Sequence, residues 1–423
     1  MDPRKAEIPA PRLIRALRNY DLLPAIVFLP TRRRCDEAAA EVAADKSQKN
    51  DPERMKLRQE LFDEFVAESP EIADHKHIDL IIRGGVAAHH AGHIPSWKLL
   101  IERMMSRGLL NALFATSTVA AGVDFPARTV VITNADTRGN DGWRPLTASE
   151  LQQMTGRAGR RGRDRVGFVV LAPGQFQNPR KIAELLKSPP DALDSQFRAT
   201  YTSLLNLLDA FGSFDQVREI AERSYSTFRD RRQKAKDQLW VPFEDMTRVL
   251  AHFGYLDLES EKVTEAGKWL ADLRVDRPLL VGEAIKAGIF DGLEPKHAAG
   301  LMASIAADAE RSYGEMHASR KMDDILSELD EIVARVSNVE WKNGVEPVEE
   351  LNYSAAAAAE RWTQGISWDE LVDRTGAEEG DLVRLLSRTA EALKQLAHLS
   401  TSNKQAAAIA AAASDIILRE PVI

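Results

Sequence analysis

The sequence lacks the marks of several large protein classes. It holds one cysteine, Cys35, in 423 residues, which excludes a disulfide framework and a cysteine-based zinc site and suits a reducing compartment. No apolar run reaches the roughly 18 residues that suggest a membrane span. The opening MDPRKAEIPAP has no apolar core of the kind an export signal needs. The expectation is a cytoplasmic protein with no membrane partner. No Gly-x-x-x-x-Gly-Lys-Ser/Thr phosphate loop is present: the one Gly-Lys pair, Gly267 and Lys268, is followed by Trp269. No Asp-Glu-x-His or Asp-Glu-x-Asp box stands ready to hold Mg2+, so a self-contained nucleotide-hydrolysing site of that type is excluded. Positive charge is also in deficit. With 56 Lys and Arg against 64 Asp and Glu, the formal net charge is -8, which argues against indiscriminate adhesion to nucleic acid and confines any such binding to local basic surfaces.

One such surface is ELQQMTGRAGRRGRD, Glu150 to Asp164. Arg157 and Arg160 are three residues apart and fall on one side of a helical turn, while Gly156 and Gly159 allow close approach of a backbone or a phosphate. Guanidinium forks bind phosphate oxygens in pairs and stay charged. A solvated basic patch, continued by Arg161, Arg163 and Arg165, explains the same run, and the upstream sequence decides against it. ATSTVAAGVDFPA, Ala115 to Ala127, follows the apolar run LLNALF; LPAIVFLPTRRRCDEAA places another apolar strand just before Thr31 and Arg32; GGVAAHHAG lies between the two.

In this order the blocks resemble superfamily-2 helicases, and most closely the second RecA-like lobe of the superkiller and exosome-cofactor type of DExH-box helicase. PTRRRCDEAA corresponds to motif IV, ATSTVAAGVDFPA to motif V and QQMTGRAGRRG to motif VI. The resemblance implies ATP with Mg2+ as cofactor, the ion held mainly by a first lobe that these residues do not include. It implies that Gln153, Arg157 and Arg160 face that ATP, with Arg160 as the finger for the developing γ-phosphate charge, and that Gly122 and Asp124 lie against the nucleotide. It also implies single-stranded RNA or DNA as partner, contacted by Thr31, Arg32, His90, Gly92, Thr116, Ser117 and Thr118. No metal site is expected at His89, His90 and His93, because no carboxylate or cysteine spacing accompanies them.

Organisation follows the same order. Residues 1–190 alternate strand and helix as a parallel sheet with flanking helices, an α/β lobe, with strands expected at Ala25–Leu29, Gly85–Ala88, Leu110–Ala115, Thr129–Asn134 and Gly167–Leu171 and an insertion helix between Asp45 and His77. Residues 191–275 read as a winged-helix region: a helix with Phe243, Met246, Val249, Leu250 and Phe253 inward, a short hairpin through Leu256 and Val263, then a helix from Glu265. Residues 276–423 read as helices only and resemble the C-terminal helical domain of the same family. By that resemblance Arg384 and Arg388 reach nucleic acid; an ion pair with Asp381 or Glu391 accounts for the same spacing. The chain is therefore expected to be the C-terminal part of an ATP-dependent helicase, with the first lobe supplied in the same polypeptide or by a partner and no turnover alone. The alternatives are a DNA helicase of the same superfamily and a non-enzymatic nucleic-acid-binding adaptor.

Overall fold

In a computed structural model, residues 7–46, 51–117, 127–139, 142–191, 199–223, 233–347 and 350–422 are described, and the chain divides into two compact units, 1–192 and 193–423. Short apolar runs dictate the first. AIVF, VAAH, ALFA and TVVI form β1 (Ala25–Phe28), β2 (Val86–His89), β3 (Ala112–Ala115) and β4 (Thr129–Ile132), each buried along its whole length. A strand with no polar face must be covered on both sides, which suits a parallel sheet between helices. A hairpin, β5 (Asp136–Gly139) and β6 (Gly142–Pro145), follows β4, and β7 (Phe168–Leu171) closes the set. The five-stranded sheet runs β2-β3-β1-β4-β7, parallel throughout and in phase, with Ala25 opposite Ala112 and Thr129. All its strands therefore begin at one edge and end at the other, about 13 Å apart at the rise of an extended chain. The sheet flanked by helices is RecA-like, as the sequence suggested.

Capping residues and apolar stripes set the helices. In α1 (Ala10–Asn19) Leu13, Ile14 and Leu17 are buried, a helix the sequence reading passed over. Thr31 caps α2 (Arg32–Ala44) by accepting the Arg34 N–H. Asp51 caps α3 (Pro52–Glu68), which buries Leu61, Phe62 and Phe65 and corresponds to the insertion helix. Its Arg58 is only 2% exposed and donates to the Ile81 carbonyl at 3.1 Å. In α4 (Pro95–Ser106) Trp97, Leu100, Ile101, Met104 and Met105 are buried, the stripe read from the sequence. α5 (Ala148–Thr155) starts on a reciprocal capping box between Thr147 and Glu150, and α6 (Pro179–Lys187) ends the unit.

The second unit is almost wholly helical. It comprises α7 (Tyr201–Phe211), α8 (Phe214–Glu222), α9 (Gln233–His252), a hairpin of β8 (Leu256–Asp257) and β9 (Lys262–Val263), then α10 (Glu265–Asp272), α11 (Pro278–Lys286), α12 (Pro295–Ala306), α13 (Arg320–Lys342), α14 (Tyr353–Thr363), α15 (Trp368–Thr375), α16 (Glu379–Ala397) and α17 (Lys404–Ile417). A single hydrophobic core runs from Tyr201 to Val422. Its centre is α12, buried at every residue from His297 to Ala306, as a helix with apolar residues all round must be. Among the described residues no helix is long and apolar enough to cross a membrane.

Candidate nucleotide and strand edges of the first unit

The in-phase sheet sorts the candidate residues by edge. Thr31, His90, Thr116 and Ser117 each follow the carboxyl end of a strand, namely β1, β2 and β3, the edge at which parallel sheets commonly gather ligands. The Thr31 hydroxyl accepts the Arg34 N–H at 3.4 Å and keeps its own proton to donate. Arg32 and Thr116 are half-buried. Ser117 Oγ lies 3.3 Å from Thr137 Oγ1 on β5, so the hairpin leans on the end of β3. His90 behaves differently: its side chain has no exposed surface, its Nδ1 accepts the Gly92 N–H at 3.1 Å and its Nε2 lies 3.1 Å from Asp36 Oδ1. Because Nδ1 is an acceptor, the proton sits on Nε2 and is donated to Asp36. Gly92 is buried as well, so a strand passing this turn meets neither the imidazole nor the glycine without rearrangement. Thr118, Gly122 and Asp124 lie outside the described residues.

From the same edge α5 turns back across the sheet. Leu146, just before it, donates to the Ala135 carbonyl at 3.0 Å beyond the end of β4, whereas Gly159, just after it, donates to the Ala127 carbonyl at 2.7 Å ahead of the start of β4. The helix thus carries exposed Gln153 and delivers Arg157 and Arg160 to the opposite, amino-terminal edge. Ala127 also donates to the Arg157 carbonyl at 3.1 Å, so the arginine turn is pinned to the last residue of the motif V block. Gly159 has φ +92 and lies against Gly167, where an added methyl would stand 2.4 Å from the Ala158 carbonyl oxygen. Gly156, with φ -62, occupies ordinary helical space.

Arg160 is oriented by Asp164. Its Nε and Nη2 donate to the two carboxylate oxygens at 2.7 and 2.9 Å, and its backbone N–H donates to Oδ2 at 2.9 Å. The Arg160 guanidinium draws the Asp164 carboxyl down to about 2. The pair's contribution to stability is therefore complete above the ordinary carboxyl range near pH 4 and should fade only as pH falls towards 2. Arg161, Arg163 and Arg165 are exposed around it. The fork occupies one edge of the Arg160 guanidinium and leaves Nη1 for an incoming oxygen.

Two aromatic residues at the carboxyl edge were not foreseen. Trp143 on β6 is 58% exposed and Phe176 is 59% exposed, with ring centroids 6.3 Å apart and planes at 17°. They line a cleft of about 620 Å³ together with Thr31, Arg34 and Asn134. Only the Trp143 ring and the Gly142 beside it hint at this in the sequence. In the second unit, Arg388 is held by Asp276 at 3.0 Å and Asp308 at 2.8 Å, not by the helix neighbours Asp381 and Glu391 that spacing offered; Asp381 pairs with Arg311. Arg384 is exposed.

Comparison with known proteins follows this geometry. The helicase conserved C-terminal domain matches residues 84–162, and the DSHCT (NUC185) domain matches residues 260–423. The chain is 36% identical over 244 residues to superkiller complex protein 2 of Mus musculus, covering 56% of this chain and 19% of that protein. It is 34% identical over 201 residues to exosome RNA helicase MTR4 of Homo sapiens, covering 47% and 19%, and 34% identical over 246 residues to antiviral helicase SKI2 of Saccharomyces cerevisiae, covering 57% and 18%. The chain spans about a fifth of the length of these relatives. With its parallel lobe, its ordered motifs and both domain matches, the chain fits the C-terminal portion of a superfamily-2 helicase of the superkiller and exosome-cofactor type.

Proposed function

We propose that this chain supplies the second RecA-like lobe and the helical domain of an ATP-dependent RNA helicase, and that its arginine turn completes an ATP site whose phosphate loop and Mg2+ ligands lie on a first lobe. The observation that carries the reading is the two-edged lobe. Arg157 and Arg160 stand on a pinned turn at one edge, while Thr31, Arg32, Thr116 and Ser117 stand at the other. Binding at one edge and gripping at the other is what a lobe needs if ATP-driven closure is to shift its hold on a strand. Arg160, already oriented by Asp164, stabilises the charge that develops on the transferred phosphoryl group, with Arg157 and Gln153 on the ground-state phosphates. RNA is favoured over DNA because relatives such as exosome RNA helicase MTR4 are named RNA helicases.

The test is strand-stimulated ATP hydrolysis by the chain alone and joined to a phosphate-loop lobe, with single-stranded RNA and DNA in parallel. Turnover only in the joined protein, with RNA the better activator, is the expected result. No turnover in the joined protein, with strand binding retained, would replace this reading by the adaptor.

The Trp143 and Phe176 pair offers a stacking platform for an unpaired base beside the hydroxyls and arginines of the carboxyl edge. Base stacking on an aromatic ring contributes about 1–3 kcal/mol, so Trp143→Ala should weaken single-strand binding about tenfold, read by fluorescence anisotropy. Unchanged affinity would remove Trp143 from the strand path.

A further inference from the structure

We infer that the first unit contains a metal site, built for a divalent transition-metal ion such as Zn2+ from His75, His77, His93 and Asp36, that clamps three loops together. Three segments meet here: Asp36 lies in the first turns of α2, His75 and His77 precede β2, and His90 and His93 follow it. The donor atoms of His75, His77 and His93 all lie within 4.8 Å of one another, as do those of Asp36, His90 and His93. Asp36 Oδ1 is 3.7 Å from His77 Nδ1 and 3.5 Å from His93 Nε2. The ring centroids of His75, His77 and His93 form a nearly equilateral triangle of 5.3, 5.4 and 5.6 Å with planes at 74–81°. A tetrahedral ion with Zn–N of ~2.0–2.1 Å sets its donors about 3.4 Å apart and its imidazole centroids about 5.2 Å apart. The three ring centroids already lie at about that spacing.

An independent observation points to a ligand. His93 is 1% exposed; its Nδ1 has no hydrogen-bond partner and its Nε2 stands 3.5 Å from Asp36 Oδ1, at the limit of hydrogen bonding, a condition that buried polar atoms rarely tolerate without an ion or water between them. The His75 Nδ1 lone pair already accepts the His77 N–H at 3.2 Å, so a ligand role for this residue falls to its Nε2. His90 is not a ligand: it donates Nε2–H to Asp36 and orients that carboxylate, the usual task of a group behind the metal ligands. Asp36 belongs to the overlapping triad with His90 and His93; once the ion draws it in as a fourth protein donor the site is closed, hence structural and not catalytic. It ties the α3 insertion and the HHAG turn to the start of α2, beside Thr31 and Arg32.

The experiment uses the full chain, stripped with chelator and titrated with Co2+ and Zn2+. One ion per chain is expected, with the intense visible bands of tetrahedral Co2+, displacement by Zn2+ and a Zn2+-induced rise in Tm of roughly 5 °C or more. His77→Ala, at a partly exposed position, and Asp36→Asn should each weaken binding at least 100-fold while circular dichroism stays that of the parent. If the folded parent binds no stoichiometric Co2+, or His77→Ala binds it equally well, the cluster is a neutral histidine core and the proposal is overturned.

Discussion

Replacing Arg160 by alanine in an enzyme that joins this lobe to a phosphate-loop lobe should lower strand-stimulated ATP hydrolysis by about 10³-fold or more, with strand affinity unchanged. The magnitude follows from where the charge is met. A guanidinium that binds oxygens only as the γ-phosphoryl group separates acts on the barrier alone, so its loss appears in kcat and not in binding. A structural reading competes, because Asp164 grips Arg160 through two side-chain bonds and one backbone bond. The two readings separate on stability. If the fork merely staples the turn, Arg160→Ala and Asp164→Asn should lower Tm alike and slow turnover alike. If Arg160 is the finger, Asp164→Asn should cost about tenfold by loosening its aim, far less than removal of the arginine itself. Turnover at the parent rate in Arg160→Ala would end the finger assignment.

What the sequence made legible was what repeats locally. The buried strands AIVF, ALFA and TVVI and the stripe Trp97, Leu100, Ile101, Met104 and Met105 announce themselves by period and composition, because each element buries its own residues. The order of motifs made the superfamily legible for the same reason. Contacts that join distant segments were not readable. Arg388 could be offered only partners on its own helix, whereas the fold supplies Asp276 and Asp308. Nor could the partner of His90 be read from the HHAG turn, since Asp36 lies 54 positions earlier in the chain. The Trp143 hairpin was missed because its short strands are polar and half-exposed, with no apolar period to betray them.

The seat of the arginine turn should prove as sensitive to backbone fit as Arg160 is to charge. Gly167→Ala places a methyl 2.4 Å from the Ala158 oxygen, 2.5 Å from its carbon and 2.7 Å from the Gly159 nitrogen. All three are backbone atoms, so no side chain can swing aside. Either β7 or the turn must move, and the turn is held by the bonds of Ala127 to Arg157 and of Gly159 to Ala127. Such overpacking costs about 1–3 kcal/mol, and a displacement of about 1 Å in a positioning element can cost about 100-fold in rate. ATP hydrolysis by the joined enzyme should therefore fall about 100-fold in Gly167→Ala, with the fold retained and Tm lowered. Gly162→Ala supplies the contrast. It also has a left-handed backbone, φ +76, but nothing lies within 4 Å of the added methyl, so it should lose only about 1 kcal/mol of stability and little rate. Equal loss of turnover in the two variants would show that conformational strain anywhere in the arginine loop suffices and that the close packing of Gly159 on Gly167 has no special part in aiming Arg160.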